Sequence, residues 1–189
     1  SGLLMYNNVL WLSRGRVLER FVECLDEIPM FMDDNKQKCS ELTDVDWLSR
    51  LMFFTDFSLH VNELNTKMQG CGKTVDEAFE IVKAFEKKLK IYKRDLEKEE
   101  FHYFKKLEKF YADLEIHETV VKDSQMRLLF KIIGATLEQF SWRFEQFKKF
   151  EDTAKLIKYP DTINFENLAL AMFSWMELHS FEMQLVELQ

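Results

Sequence analysis

The tripeptide Gly72-Lys73-Thr74 imitates the end of a phosphate-binding loop, in which a glycine-rich turn between strand and helix aims backbone N–H groups at phosphate oxygens. Its spacing fails, because the other glycine of such a loop falls at Lys67 and the preceding residues carry helical periodicity. A helix stop followed by a helix cap accounts for the same residues. His60, His102, His117 and His179 are dispersed, with no H-E-x-x-H that would present two imidazoles to one metal. Cys24, Cys39 and Cys71 form no C-x-x-C and have no histidine close in sequence to act as a base. Carboxylates are abundant, as in LEKEE at residues 96–100, but that run has the character of a solvated helix face. We therefore expect no catalytic residue, no metal site, no bound cofactor and no small-molecule substrate.

Two groups of residues retain binding chemistry. Lys83, Lys87, Lys90, Arg94 and Lys98 recur at steps of four, three, four and four, which places five cations on one helical face opposite an apolar stripe. Such a ridge can grip phosphates or an acidic partner, although Glu86, Asp95 and Glu97 lie nearby. Trp11 stands beside Ser13, Arg14 and Arg16, a set able to stack a base and hold its phosphate. The plainer reading makes Trp11 an anchor into the core.

The elements that must position these residues read as helices. Ser13 caps a first helix to about Met32, in which Val17, Leu18, Phe21, Leu25 and Ile28 recur at three- and four-residue steps and Pro29 introduces a kink or stop. Thr43 with Asp46 approximates a capping box for a second helix containing Trp47, Leu51, Leu59 and Leu64. Gly70 and Gly72 close it, and Thr74 with Glu77 opens a third helix to about Lys98. Phe101, Phe104, Leu107 and Phe110 mark a fourth segment, and its fusion with the third is left open. A long helix over 119–150 carries apolar residues on more than one face, including Val121, Leu128, Ile132 and Trp142, and is expected to be central. Tyr159-Pro160-Asp161 makes a turn, and a last helix starts near Phe165. The expectation is an all-α bundle of about five to seven helices, several of them long. Residues 1–12 form a lead-in and residues 13–189 a single helical domain.

Composition agrees: 18 Phe stand against 5 Gly and 2 Pro, too few turn formers for a sheet of many short strands. The excess of 33 acidic over 26 basic residues, a formal charge of −7, makes any nucleic-acid contact local. An odd, widely spaced set of cysteines suits a reducing compartment. No apolar run approaches the roughly 20 residues that cross a bilayer, so a soluble protein without membrane contact is expected. The chain opens on Ser1-Gly2 in place of Met, as a segment of a longer protein would.

The stretch LLMYNNVLWLSRGRVLERFVECLDEIPMFM resembles the hAT transposase pattern T-x-V-R-W-L-S-R-G followed by V-L-x-R-F-x-x-L and an acidic-apolar helix. The resemblance continues in DWLSRLMFFTDFSLHVNELNTKMQG, similar to W-L, L-x-F-L-T-D, H-x-N-x-L-N and L-Q-G, and in the terminal FEMQLVELQ. Similar proteins are the domesticated vertebrate relatives that carry zinc finger BED, SCAN or general transcription factor II-I repeat domains. The resemblance implies a helical insertion within an RNase H-like catalytic domain, whose metal-binding aspartates precede this segment and whose catalytic glutamate follows it. It associates Trp11 with handling a DNA base, while the arginine usual before that tryptophan is Leu10 and the glutamate of the terminal motif is Gln184. The function expected is a non-catalytic helical scaffold or interaction module in an intracellular, nuclear protein, with a protein partner or self-association. A residual DNA-binding module is the alternative, and a metal-dependent nuclease a second one. The candidate nucleic-acid contacts are Trp11, Arg14, Arg16, Lys83, Lys87, Lys90, Arg94 and Lys98.

Overall fold

The computed structural model describes residues 11–69, 72–114, 119–159, 161, 183–184 and 186–187. Cys71, His117, Pro160, His179 and nearly all of the helix expected from Phe165 lie outside the described residues, as do the side chains of Trp11, Ser13, Arg14 and Val121. The described residues form six α-helices and no strand, the all-α architecture expected.

Helix α1 (Trp11–Glu23) contains Ser13 in its first turn, so Ser13 is not its cap. Nor does one helix continue to Met32. The chain turns at residues 24–27, where the N–H of Leu25 reaches back to the Val22 carbonyl, and resumes as α2 (Ile28–Asp34) with Pro29 in the first turn. Proline has no N–H to lose there and its ring meets no preceding helical carbonyl, so the break comes ahead of it.

A 3-10 turn at Ser40–Thr43 leads into α3 (Val45–Met68). The cap is Asp44 instead of Thr43: its carboxylate accepts the N–H groups of Asp46 at 2.9 Å and Trp47 at 3.3 Å, while the Thr43 hydroxyl donates to the Ser40 carbonyl. Helix α4 (Val75–Glu97) starts at the expected capping box, with Glu77 accepting the Thr74 N–H at 3.0 Å.

Helices α4 and α5 (Lys105–Asp113) do not fuse. The N–H of Glu100 returns to the Asp95 carbonyl and that of Glu99 to Leu96, with Glu99 at φ +58°. This is a Schellman stop whose left-handed position, usually glycine, is held by glutamate. It swings Phe101 and Phe104 into the core, where their burial offsets the strain at Glu99.

The long α6 (Thr119–Lys158) packs chiefly along α4, and α3 crosses α1, α4 and α5. Met52, Phe53, Phe85, Leu89, Phe104, Leu107, Leu129 and Ile133 meet between them. The Phe104 ring is stacked on Phe53 at 5.1 Å and set edge-on to Tyr92 at 5.5 Å. Leu128 and Ile132 of α6 are half-buried, but Trp142 is 69% exposed, so among the described residues α6 is covered on fewer sides than its apolar residues suggest.

Candidate interaction surfaces

Several described residues of the WLSRG and H-x-N-x-L-N stretches and of the segment between them are held within the fold. Gly15 of WLSRG is buried where α1 crosses α3, and a Cβ there would strike the Asn62 side-chain amide and lie 3.4 Å from the Ser58 carbonyl oxygen. The two motifs therefore touch through a glycine that no larger residue replaces without movement. Thr55 is buried and donates to the Leu51 carbonyl. Asp56 is buried, and its Oδ2 accepts the N–H groups of Lys106 at 2.8 Å and Leu107 at 3.2 Å, capping α5 from a position on α3. Burial pushes the Asp56 carboxyl up from its ordinary value, against the opposing pull of those N–H groups. The Nε2 of His60 donates to the Tyr103 carbonyl at 2.7 Å, and its ring lies 4.7 Å from that of Tyr92, whose hydroxyl burial pushes up to about 12.

Helix α3 is further tied to α4 through Glu63, which accepts from Lys67 at 2.6 Å and Lys88 at 3.0 Å. These bonds hold its carboxyl down to about 2.

The basic ridge lies on α4 away from the core, but acids answer much of it. Lys83 is 3.6 Å from Glu80, Lys90 is 3.2 Å from Glu86, and Arg94 is 3.1 Å from Asp95. Glu86 and Asp95 are themselves buried; Glu86 also accepts a hydrogen bond from Ser141 of α6 at 3.1 Å. Lys87 and Lys98 are exposed and form no ion pair among the described residues. Arg16 is exposed on α1, a different helix from the α4 ridge. The side chains of Trp11 and Arg14 lie outside the description.

Among the described residues one trio has metal-ligand spacing: the ligand atoms of Asp95, Glu100 and His102 all lie within 4.8 Å of one another. Asp95 already takes the Arg94 guanidinium at 3.1 Å, a fixed positive charge that competes with a cation, and the other two side chains are exposed.

A surface that the sequence reading missed lies between α1, α3 and α5. A groove of about 500 Å³ is lined by Val22, Leu25, Pro29, Leu48, Met52 and Phe110, with Asp26, Asp113, Lys106 and Lys109 among its polar lining. Beside it α2 has no buried residue, and Met30 and Phe31 are 66% and 67% exposed. The run IPMFM is readable as apolar, but only the positions of α1, α3 and α5 show that its face is left uncovered among the described residues. No described helix is long and apolar enough to cross a membrane.

Six helices among the described residues, polar groups such as Thr55 and Asp56 engaged in packing, and an open groove of mixed apolar and charged lining define an all-helical domain. The chain belongs to the FAM200/GTF2IRD2-like family: the model of the FAM200/GTF2IRD2 helical domain matches residues 1–97, through the end of α4. General transcription factor II-I repeat domain-containing protein 2 of Bos taurus is 28% identical over 189 residues, all of this chain and 18% of the relative. Its Mus musculus counterpart is 28% identical over 168 residues, 88% of this chain and 17% of the relative. The chain thus spans less than a fifth of the length of these curated relatives. No solved structure matches it.

Proposed function

We propose that this chain is a non-catalytic protein-interaction module, derived from the helical insertion of a hAT transposase and working in the nucleus as part of a longer protein. Residues 13–189 are read as one helical domain and residues 1–12 as its lead-in. The observation that carries the reading is the exposure of Met30 and Phe31 beside a groove lined by both apolar and charged side chains, the arrangement of a docking surface. The hAT derivation rests on the WLSRG and H-x-N-x-L-N motifs, and the nuclear setting on the transcription-factor name of the relatives.

The DNA-binding alternative is favoured by exposed Lys87 and Lys98 and weakened by the acids that answer Lys83, Lys90 and Arg94. Titrating hairpin-ended DNA at low and moderate salt separates the two. A phosphate-gripping surface loses affinity steeply as salt rises, because bound counterions are released on binding. We expect no salt-sensitive binding, and no difference between the natural chain and a Lys87→Glu/Lys98→Glu variant. Binding that weakens with salt and with this charge reversal overturns the protein-interaction reading in favour of DNA. Strand cleavage on addition of Mg²⁺ or Mn²⁺ would refute the non-catalytic assignment.

A further inference from the structure

We propose that the outer face of α6 pairs with itself, so that two copies of this chain associate through antiparallel α6 helices about a two-fold axis at Ala135. The inference rests on the protein-interaction reading and names a partner, at a surface distinct from the groove beside α2. Leu128, Lys131, Ala135, Glu138 and Trp142 recur at steps of three, four, three and four, which sets them on one face of α6. That face looks away from the core, to which α6 contributes Met126, Leu129 and Ile133. Leu128 is half-buried and the other four are exposed, Trp142 by 69%. A tryptophan left in water has a large apolar area to gain from being covered.

The stripe has the same spacing read from either end, with its charges reversed. Leu128 stands seven residues before Ala135 and Trp142 seven after it, while Lys131 is four before and Glu138 three after. Arg127 and Glu145, both exposed, are eighteen residues and hence five turns apart, so they share one edge of the stripe. An antiparallel copy turned about Ala135 sets Trp142 against Leu128, Glu138 against Lys131 and Glu145 against Arg127, each of them twice. None of these four charged groups forms an ion pair among the described residues. Glu97 and Glu99 of α4 line a cleft on the Arg127 side, but neither pairs with Arg127 or Lys131, which stay open to an incoming carboxylate. Arg143, exposed on the other edge, has no counterpart on the second α6 and is left to solvent. A parallel copy in the same register would oppose like charges throughout, so the charge order selects the antiparallel pair. At its centre the small Ala135 lets the helix axes approach closely. Two bases and two acids also make the stripe locally neutral, on a chain whose formal charge of −7 otherwise repels its own copy.

Sedimentation equilibrium of the 189-residue chain over a range of concentrations tests the proposal. A reversible dimer is expected, of modest affinity because one pair of helices buries less than the roughly 800 Å² per partner of a standard interface. Trp142→Ser alters an exposed position only, so the variant should keep the helical circular dichroism of the natural chain while its dimer weakens roughly a hundredfold. Lys131→Glu, which sets acid against acid twice, should weaken the dimer about tenfold, and adding Glu138→Lys should restore most of the loss because the charges are then exchanged and again opposed. A chain that is monomeric at every concentration leaves the stripe to another partner and overturns the proposal. So does a dimer indifferent to Trp142→Ser, or one that the charge exchange fails to rescue. A monomer that binds hairpin DNA in a salt-sensitive way removes the underlying reading as well; a monomer that does not removes the dimer alone.

Discussion

Asp56 shows how a residue of catalytic type is absorbed by structure. Its carboxylate sits at the N-terminus of α5, accepting two N–H groups that have no partner within that helix. Replacing it with alanine is expected to cost about 1–2 kcal/mol, the range for losing a helix cap, measurable by urea unfolding. Its titration adds a second prediction. Because burial raises its folded pKa above the ordinary 3.8, the folded state holds the Asp56 proton better than the unfolded state does. The associated stability is complete below 3.8 and is lost as pH rises through the raised value. Asp56→Asn keeps one acceptor and carries no charge, so the natural chain should lose stability relative to this variant as pH climbs from about 4 toward neutrality. Parallel stability curves for the two proteins would contradict a buried, raised carboxyl.

Two glycines separate local propensity from contact at the scale of the element. Both sit inside helices, where alanine is better by about 1 kcal/mol in an open position. At Gly134 a Cβ would meet the Lys93 side chain at 3.6 Å, an ordinary contact, so Gly134→Ala should raise the melting temperature. At Gly15 the same change drives into the Asn62 side-chain amide, which has to give up its place in the α1–α3 crossing, with the Ser58 carbonyl oxygen 3.4 Å behind it. Gly15→Ala should therefore lower stability by roughly 1–3 kcal/mol, the range for overpacking, and Asn62→Ala in the same chain should return part of it. Equal effects at the two glycines would mean that α1 does not lie against α3 in this way.

For the whole molecule, local stability should follow burial. Amide exchange is expected to be slowest around Phe53, Leu89, Leu107, Leu129 and Ile133, which are fully buried, and fastest in α2, which buries nothing. The helical class, the start of α4 at Thr74 and the solvated face of α4 were legible in the sequence, because each depends on residues within one or two turns of each other. The sequence signal for the α3 cap falls at Thr43, one residue ahead of Asp44, and the helix breaks before Pro29 and not at it, since a local signal names a neighbourhood more surely than a position. Other features required the folded chain. Asp56 caps a helix 50 residues away, Gly15 meets Asn62 across a helix crossing, and glutamate at position 99 takes a conformation that its own type disfavours. The exposure of Met30 and Phe31 is of the same kind, because an apolar residue is buried only where a neighbouring element arrives to cover it. Sequence alone determined the helical class and the approximate position of the described helices; only tertiary structure decided where the first of them breaks, which polar groups are consumed by packing and which apolar face is left open among the described residues, since those outcomes depend on contacts between elements distant along the chain.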